Sequence, residues 1–370
     1  MNRKPEVRKG SLVAKVLAGV WRDSGAPSLD ISEQELDEVT PLLYGSGAAA
    51  LGWRRVSETE LKNSPSAELL HQAYRLISLQ SAIHEEKIER VFRSLREASV
   101  DAILAKGWAA AGLYPERALR AYGDIDLCIR PQHYKLAEEV LSSPELNDCW
   151  IDLHKHFSEI GERPIEDVFD RARLVPLGTE MIRILASEDH LALQSIHLLK
   201  HGAWRPMWLC DIGAAIESLP PNFDWDLCLG RNEKRARWIV SAIGLAHRLL
   251  DANIQPLPFY AQAMELPAWL VENVVKQWDN PFAINQPPMS HPVPMMSQWR
   301  NPRGLAKALR ARWPDPILAT VSVNGRFNSF PRWPYQIANC MSRVLRLVSR
   351  SRSFGTKSGA VTDSPSLSND

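Results

Sequence analysis

The sequence predicts an α+β protein, a small mixed sheet with its own helices set between an N-terminal helical segment and a C-terminal helical domain. Three observations carry this. Short apolar runs at 100–105, 124–129 and 149–154 have strand length and are separated by short helical stretches. A single 3.6-periodic pattern fills 64–98 immediately before them, and further helical patterns follow one another from 187 to 278. The expected organisation is a partly helical region over 1–63, a sheet domain with its lead-in helix over 64–186 and a helical domain over 187–285. A basic, proline-containing region with short helices (286–350) and a disordered Ser/Gly-rich tail (351–370) complete it.

In chain order, 32–43 reads as a short helix. Ser64-Pro65 supplies a cap and a first-position proline for the next. Leu69, Leu70, Ala73, Leu76 and Ile77, then Ile88, Val91, Phe92 and Leu95, keep helical spacing to about Ala98. The strand at 100–105 ends in Lys106-Gly107, and a helix over 108–113 leads to Tyr114-Pro115. Strand 124–129, a helix over 132–142 bracketed by Pro131 and Pro144, and strand 149–154 come next. A variable stretch with Pro164 and Pro176 precedes a helix opened by Ser187-Glu188-Asp189, whose acids suit the helix dipole, and closed by Gly202. Helices are expected over 208–218, 224–230, 234–251 and 267–278, and beyond the prolines that start at 281, over 303–312 and 335–350.

At 370 residues, 45% apolar and 24% charged, the composition is that of a globular protein with room for two domains. Five cysteines without a Cys-x-x-Cys pair indicate reduced thiols, not a disulfide frame or zinc knuckle. No signal peptide opens the chain, and no run reaches the ~20 apolar residues of a membrane span, so a cytoplasmic protein is expected. The net charge of +1 hides an asymmetry: 297–357 holds twelve Lys/Arg against Asp315 alone, leaving −10 on the rest.

The chemistry concentrates in Gly123-Asp124-Ile125-Asp126. Side chains alternate along a strand, so Asp124 and Asp126 face the same way and repel unless a cation lies between them. Paired carboxylates suit Mg²⁺, which completes its shell with phosphate oxygens and waters. Asp152, in Ile151-Asp152-Leu153-His154, offers a third carboxylate in a strand frame.

Gly, then Asp-x-Asp, then an isolated Asp between apolar residues is the order found in nucleotidyltransferases related to DNA polymerase beta. The run Lys106-Gly107, Tyr114-Pro115, Arg120, Gly123 to Asp126 and Ile151 to His154 more closely resembles a bacterial group, the uncharacterised nucleotidyltransferase family, over roughly 65–285. The resemblance implies an α+β nucleotidyltransferase fold with a helical domain behind it and the nucleotide between them. It further implies an NTP donor, ATP foremost, two Mg²⁺ ions, and a hydroxyl-bearing acceptor: a small molecule, a protein or an RNA. Asp124 and Asp126 would hold one ion on the triphosphate, and a second, about 3.5–4 Å away, would bridge them to Asp152. Asp152 would also activate the acceptor hydroxyl. Lys106, Gly107, Arg120, Gly123 and His154 would contact the nucleotide phosphates, Arg120 through its guanidinium fork. Where the superfamily pattern has Gly-Ser or Gly-Gly, this chain has Gly107-Trp108, which leaves backbone amides to hold phosphate. That departure keeps a second reading in view, a catalytically inactive nucleotide-binding or regulatory protein on the same fold.

His190, Gln194, His197 and His201 form one stripe of the helix from Ser187. They could be a hydrogen-bonded interface, a zinc site completed by Asp211, or a face overlooking the nucleotide cleft; the Glu usual between paired zinc histidines is missing. Walker, dinucleotide-binding and nucleophile-elbow fingerprints do not occur. The basic amphipathic helix at 335–350 has three readings: docking onto the acidic body, which the charge asymmetry favours, peripheral contact with an anionic membrane, or nucleic-acid binding.

Overall fold

A computed structural model describes residues 9–279 and 313–355. The sequence-predicted helix at 303–312, the prolines of 281–294 and the tail beyond 355 lie outside the described residues. Three helices open the chain: α1 (Lys9–Leu17), α2 (Glu33–Ser46), begun by a Ser32–Glu35 capping box, and α3 (Ala49–Val56). The 33-residue α4 (Pro65–Glu97), capped by Ser64 with Pro65 in its first turn, leads into the sheet region. There follow β1 (Ala102–Ala105), α5 (Gly107–Ala111), β2 (Ile125–Ile129), α6 (Tyr134–Leu141), β3 (Ile151–His154), α7 (Ile165–Arg171), β4 (Arg173–Leu177) and β5 (Glu180–Ile184). Helices α8 (Ser187–Lys200), α9 (Pro206–Glu217), α10 (Trp225–Leu229), α11 (Glu233–Leu250), α12 (Tyr260–Met264) and α13 (Ala268–Trp278) come next, then α14 (Pro316–Ser322) and α15 (Trp333–Gly355).

The five strands lie in the order β3-β2-β1-β5-β4, with β1–β2 and β4–β5 antiparallel and β2–β3 and β1–β5 parallel. This mixed sheet among helices is the α+β, nucleotidyltransferase-like fold that the sequence predicts. Alternation sorts the side chains onto two faces. Leu104, Ile125, Leu127 and Ile129 pack with Ile88, Val91, Phe92 and Leu95 of α4 and Ala137 of α6. Ile103, Ala105 and Cys128 pack on the other side with Phe157, Phe169 and Leu193.

The β4–β5 hairpin replaces what the sequence shows only as a variable stretch. Pro176 lies on β4, at the sheet edge, where a missing N–H breaks no inner ladder. Gly178 takes the turn at φ 56°, and a side chain there would run into the Glu89 carboxylate. Glu89 accepts from the Thr179 amide (3.2 Å) and hydroxyl (2.7 Å), and buried Glu180 pairs with Arg93 and Arg96, so α4 clamps the hairpin.

The largest core joins both ends of the described chain. Leu12, Val16 and Leu17 of α1 share it with Leu191 and Leu198 of α8, Ile239 and Ile243 of α11, Leu270 and Val274 of α13, and Ile317 of α14. At Gly10 the α1 backbone approaches α13 so closely that a side chain would strike the Val275 carbonyl, and the Gly10 amide donates to Asp279 at 2.6 Å. Asp315 caps α14 and accepts from Asn273 and Gln277 of α13, both at 2.6 Å. Trp238 and Trp269 donate to the carbonyls of Gly325 and Asn328. Helix α15 docks through polar residues, Gln336 and Asn339 being buried, while Trp333, Ile337, Met341 and Leu345 are exposed at i, i+4, i+8 and i+12. Of the sequence-predicted amphipathic stripe, Ile337, Met341 and Leu345 thus face away from the body.

One buried polar contact ties the sheet to the helices. Arg120, on the connection before β2, donates through Nη2 to Asp211 of α9 at 2.7 Å and through Nε at 3.2 Å, and the Tyr114 hydroxyl donates to the same carboxylate at 2.8 Å. All three side chains are buried. Asp211→Ala leaves a guanidinium in the interior without a counter-charge and should cost about 3–5 kcal/mol, whereas Arg120→Met with Asp211→Leu should cost much less. Urea unfolding of the two variants measures this, and a loss under about 1 kcal/mol for Asp211→Ala would contradict the account.

Candidate functional site

The parallel pairing of β2 with β3 places Asp126 opposite Asp152 and Cys128 opposite His154. Parallel neighbours are about 4.8 Å apart and residues i and i+2 share a face, so Asp126, Asp152 and His154 converge on the same side. One ligand atom from each lies within 4.8 Å of the others. His154 Nε2 bridges the two carboxylates, 3.3 Å from Asp126 and 3.2 Å from Asp152. Asp126 is buried while the Asp152 side chain is 64% exposed, so the group opens to solvent on the β3 side.

Lys106 follows β1, whose last residue, Ala105, pairs with Asp126. It adopts φ 53°, which side-chain-bearing residues rarely hold, and its ammonium donates to Asp126 at 2.7 Å. Burial alone would raise the Asp126 carboxyl, but the His154 hydrogen bond and the Lys106 charge outweigh it, and its pKa lies below the usual carboxylate value. Asp126 is therefore an anion held ready by two nitrogen donors.

The other sequence-predicted residues divide. Asp124 lies just outside β2, exposed, and is not part of the three-residue group. Gly123 precedes it, partly buried, and Gly107 opens α5 at φ 20°. Arg120 is expected at phosphate; the structure instead buries its guanidinium against Asp211, where no fork is left for a ligand. Trp108 turns to the α4 side of the sheet, its indole N–H on Glu85 at 2.9 Å and the Arg117 guanidinium 3.9 Å over its ring. The loop thus offers backbone in place of a hydroxyl.

The histidine stripe divides as well. His190 lies against Gln194 (3.2 Å) in the core, and Asp211, the suggested zinc partner, is taken by Arg120 and Tyr114. Among the described residues the stripe forms no metal-competent group. His197 and His201 instead lie tilted against each other, ring centres 4.4 Å apart, and meet Trp208 at 4.6 and 5.3 Å. Leu193, one turn earlier on α8, packs with Ala105, Cys128 and Phe157, so the helix runs along the Asp126 face of the sheet. Arg205, just before α9, lies against the Trp208 ring of the same cluster at 5.3 Å, yet its only sequence signal is a cation set in Trp204-Arg205-Pro206-Met207-Trp208.

Comparison with known proteins agrees with this geometry. The profile of the family described as uncharacterised nucleotidyltransferase matches residues 32–146 and 143–251, together more than half of the chain, and the protein belongs to that family. No curated protein and no solved structure matches.

Burial pushes His190 down to about 4 from its ordinary 6.5, with the Asp211 charge opposing. Between those two values the unfolded chain binds a proton that the folded protein does not, so stability falls as pH drops through that window, by up to about 3 kcal/mol. His190→Gln should flatten the decline between pH 6.5 and 4, read by thermal unfolding across a pH series; an unchanged slope would exclude His190 as its source.

Proposed function

We propose that the protein transfers a nucleoside monophosphate from an NTP, ATP foremost, to a hydroxyl-bearing acceptor at the Asp126–Asp152 group. The observation that carries this reading is the β2–β3 register, which sets two carboxylates and His154 side by side at the open edge of a nucleotidyltransferase-like sheet. The donor set fits a hard divalent cation, Mg²⁺ by its carboxylate oxygens, with the His154 nitrogen as the departure from an all-oxygen shell. Asp126 and Asp152 would hold it, and Asp124, at the mouth of β2, would extend the carboxylate surface toward a second ion. When bound, such an ion supplies Lewis-acid neutralisation of the phosphate charge.

The chain's own residues do the remainder. The flexible stem of Lys106 lets its ammonium turn from Asp126 to a phosphate oxygen. Solvent-facing Asp152, oriented by His154, takes the acceptor's hydroxyl proton. The freed oxygen attacks the α-phosphorus, the bond from that phosphorus to its β-bridging oxygen breaks, and pyrophosphate leaves with the electron pair. The acceptor is a small molecule, a protein side chain or an RNA hydroxyl.

Incubation with each α-labelled NTP and fractionated extract should place label on one acceptor fraction. Asp152→Asn and Asp126→Asn should lower that transfer by about a hundredfold or more, with chelation abolishing it and Mg²⁺ restoring it. Undiminished transfer by Asp152→Asn would remove the mechanism. Mg²⁺-dependent NTP binding without any transfer would favour the inactive nucleotide-binding reading that Gly107-Trp108 keeps in view.

We infer an anionic membrane, one of the three readings of this helix, as the partner of the exposed Trp333, Ile337, Met341 and Leu345 of α15. Arg346, Arg350 and Arg352 follow in the same helix, the composition of a helix that lies in a lipid interface. No helix among the described residues is long and apolar enough to cross a membrane. Sedimentation with phosphatidylglycerol vesicles should carry the protein down at low salt, phosphatidylcholine vesicles should not, and Ile337→Ser with Met341→Ser should abolish the difference. Equal partitioning on both lipids, or retention on RNA alone, would refute it.

A further inference from the structure

Arg205 immediately precedes α9, and two indoles flank it. Its guanidinium carbon lies 5.2 Å from the ring centre of Trp204 and 5.3 Å from that of Trp208, and the two rings meet edge to face at 5.7 Å. Trp208 in turn packs against His197 and His201. Rings in mutual contact hold one another's rotamers, so the arginine rests on a rigid aromatic bed.

Arg205 Nε is buried without a hydrogen-bond partner, and among the described residues Arg205 forms no ion pair. Burial is the main influence that lowers its pKa, Arg120 repels it, and the negative charges that act on it are those of Asp124 and Asp211. Asp211 is already committed, bidentate to Arg120 and accepting from Tyr114. Gly47, the left-handed C-cap of α2, offers no side chain beside the guanidinium. A guanidinium Nε buried without a partner is costly, and the planar fork of the group matches two oxygens of a phosphate. The packing points to which phosphate: Leu193, one turn before His197, lies with Ala105, Cys128 and Phe157 on the Asp126 face of the sheet, Phe157 touches His154 at 4.7 Å, and His197 meets Trp208 of the bed at 4.6 Å.

We propose that Arg205 anchors the non-transferred phosphates of the nucleotide, the pair that departs as pyrophosphate. The inference rests on the nucleotidyltransferase reading and adds the residue that the buried Arg120 leaves to be found. Lys106 comes from the turn between β1 and α5, and Arg205 from the turn before α9. The chain would thus meet a triphosphate with one cation from each. In the transition state, charge gathers on the departing β-phosphate, where a preplaced guanidinium stabilises it.

Calorimetry in Mg²⁺ with three probes tests this: α,β-methylene ATP, AMP and inorganic pyrophosphate, the last independent of the base. Arg205→Met should weaken the methylene analogue and pyrophosphate by about tenfold to a hundredfold, the worth of a hydrogen bond to a charged group, and leave AMP unchanged. Arg205→Lys should recover only part of the loss, since an ammonium lacks the fork. Arg205→Gln replaces the Met variant should the latter fail to fold, and Mn²⁺ binding should be equal in all of them. Wild-type protein that binds none of the probes would overturn both the nucleotidyltransferase reading and this inference. Wild-type binding that Arg205→Met leaves intact, or an equal loss of AMP, overturns the inference alone and leaves that reading standing.

Discussion

A buried ion pair sets the relation between the two halves of this protein. Arg120 stands on the connection that delivers the chain to β2, and Asp211 belongs to α9, in the middle of the helical core. Neither charge would be tolerated alone in the interior, so each fixes the other's place, and Tyr114 takes part of the remaining acceptor capacity. The start of β2, and with it Asp126, is therefore referred to the helices as firmly as to its own sheet. An arginine that looks from its sequence like a ligand for phosphate serves as a brace.

The carboxylate group is a consequence of register. Had β3 slipped by one residue against β2, Asp152 and His154 would have faced the α4 side and Asp126 would have stood alone. The Lys106 turn adds a cation to the same face at the cost of a left-handed backbone, a strain that the clamped ends of β1 and α5 sustain. Negative charge, a bridging imidazole and an ammonium are all in place before any substrate arrives.

Much of this was legible in the sequence, for identifiable reasons. Strands β1, β2 and β3 announce themselves by apolar runs, and α4, α8, α11 and α13 by long periodic patterns. Strand periodicity puts Asp152 and His154 on one face of β3, but that Asp126 shares this face follows from the β2–β3 register. The outer hairpin is not, since Pro176 reads as a breaker unless the strand is known to lie at an edge, and edge position is a tertiary fact. Helices α1, α3 and α14 span 9, 8 and 7 residues, too few turns for a pattern to stand out. The roles of Arg120 and Arg205 depend on whether a carboxylate from a distant helix reaches them, and no local spacing encodes that.

The seat of α1 has a consequence for how the chain is made. Gly10 rests on Val275 and hands its amide to Asp279, contacts that span more than two-thirds of the sequence. The part of α1 that seats on α13 stays uncovered while everything between is synthesised, whereas α2 and α3 can cover the rest early. Local pairing lets the strands and α4 assemble first, as an insert inside a core that has yet to close. The start of the chain is thus among the last parts to find its place, and a premature stop before residue 279 would strand it.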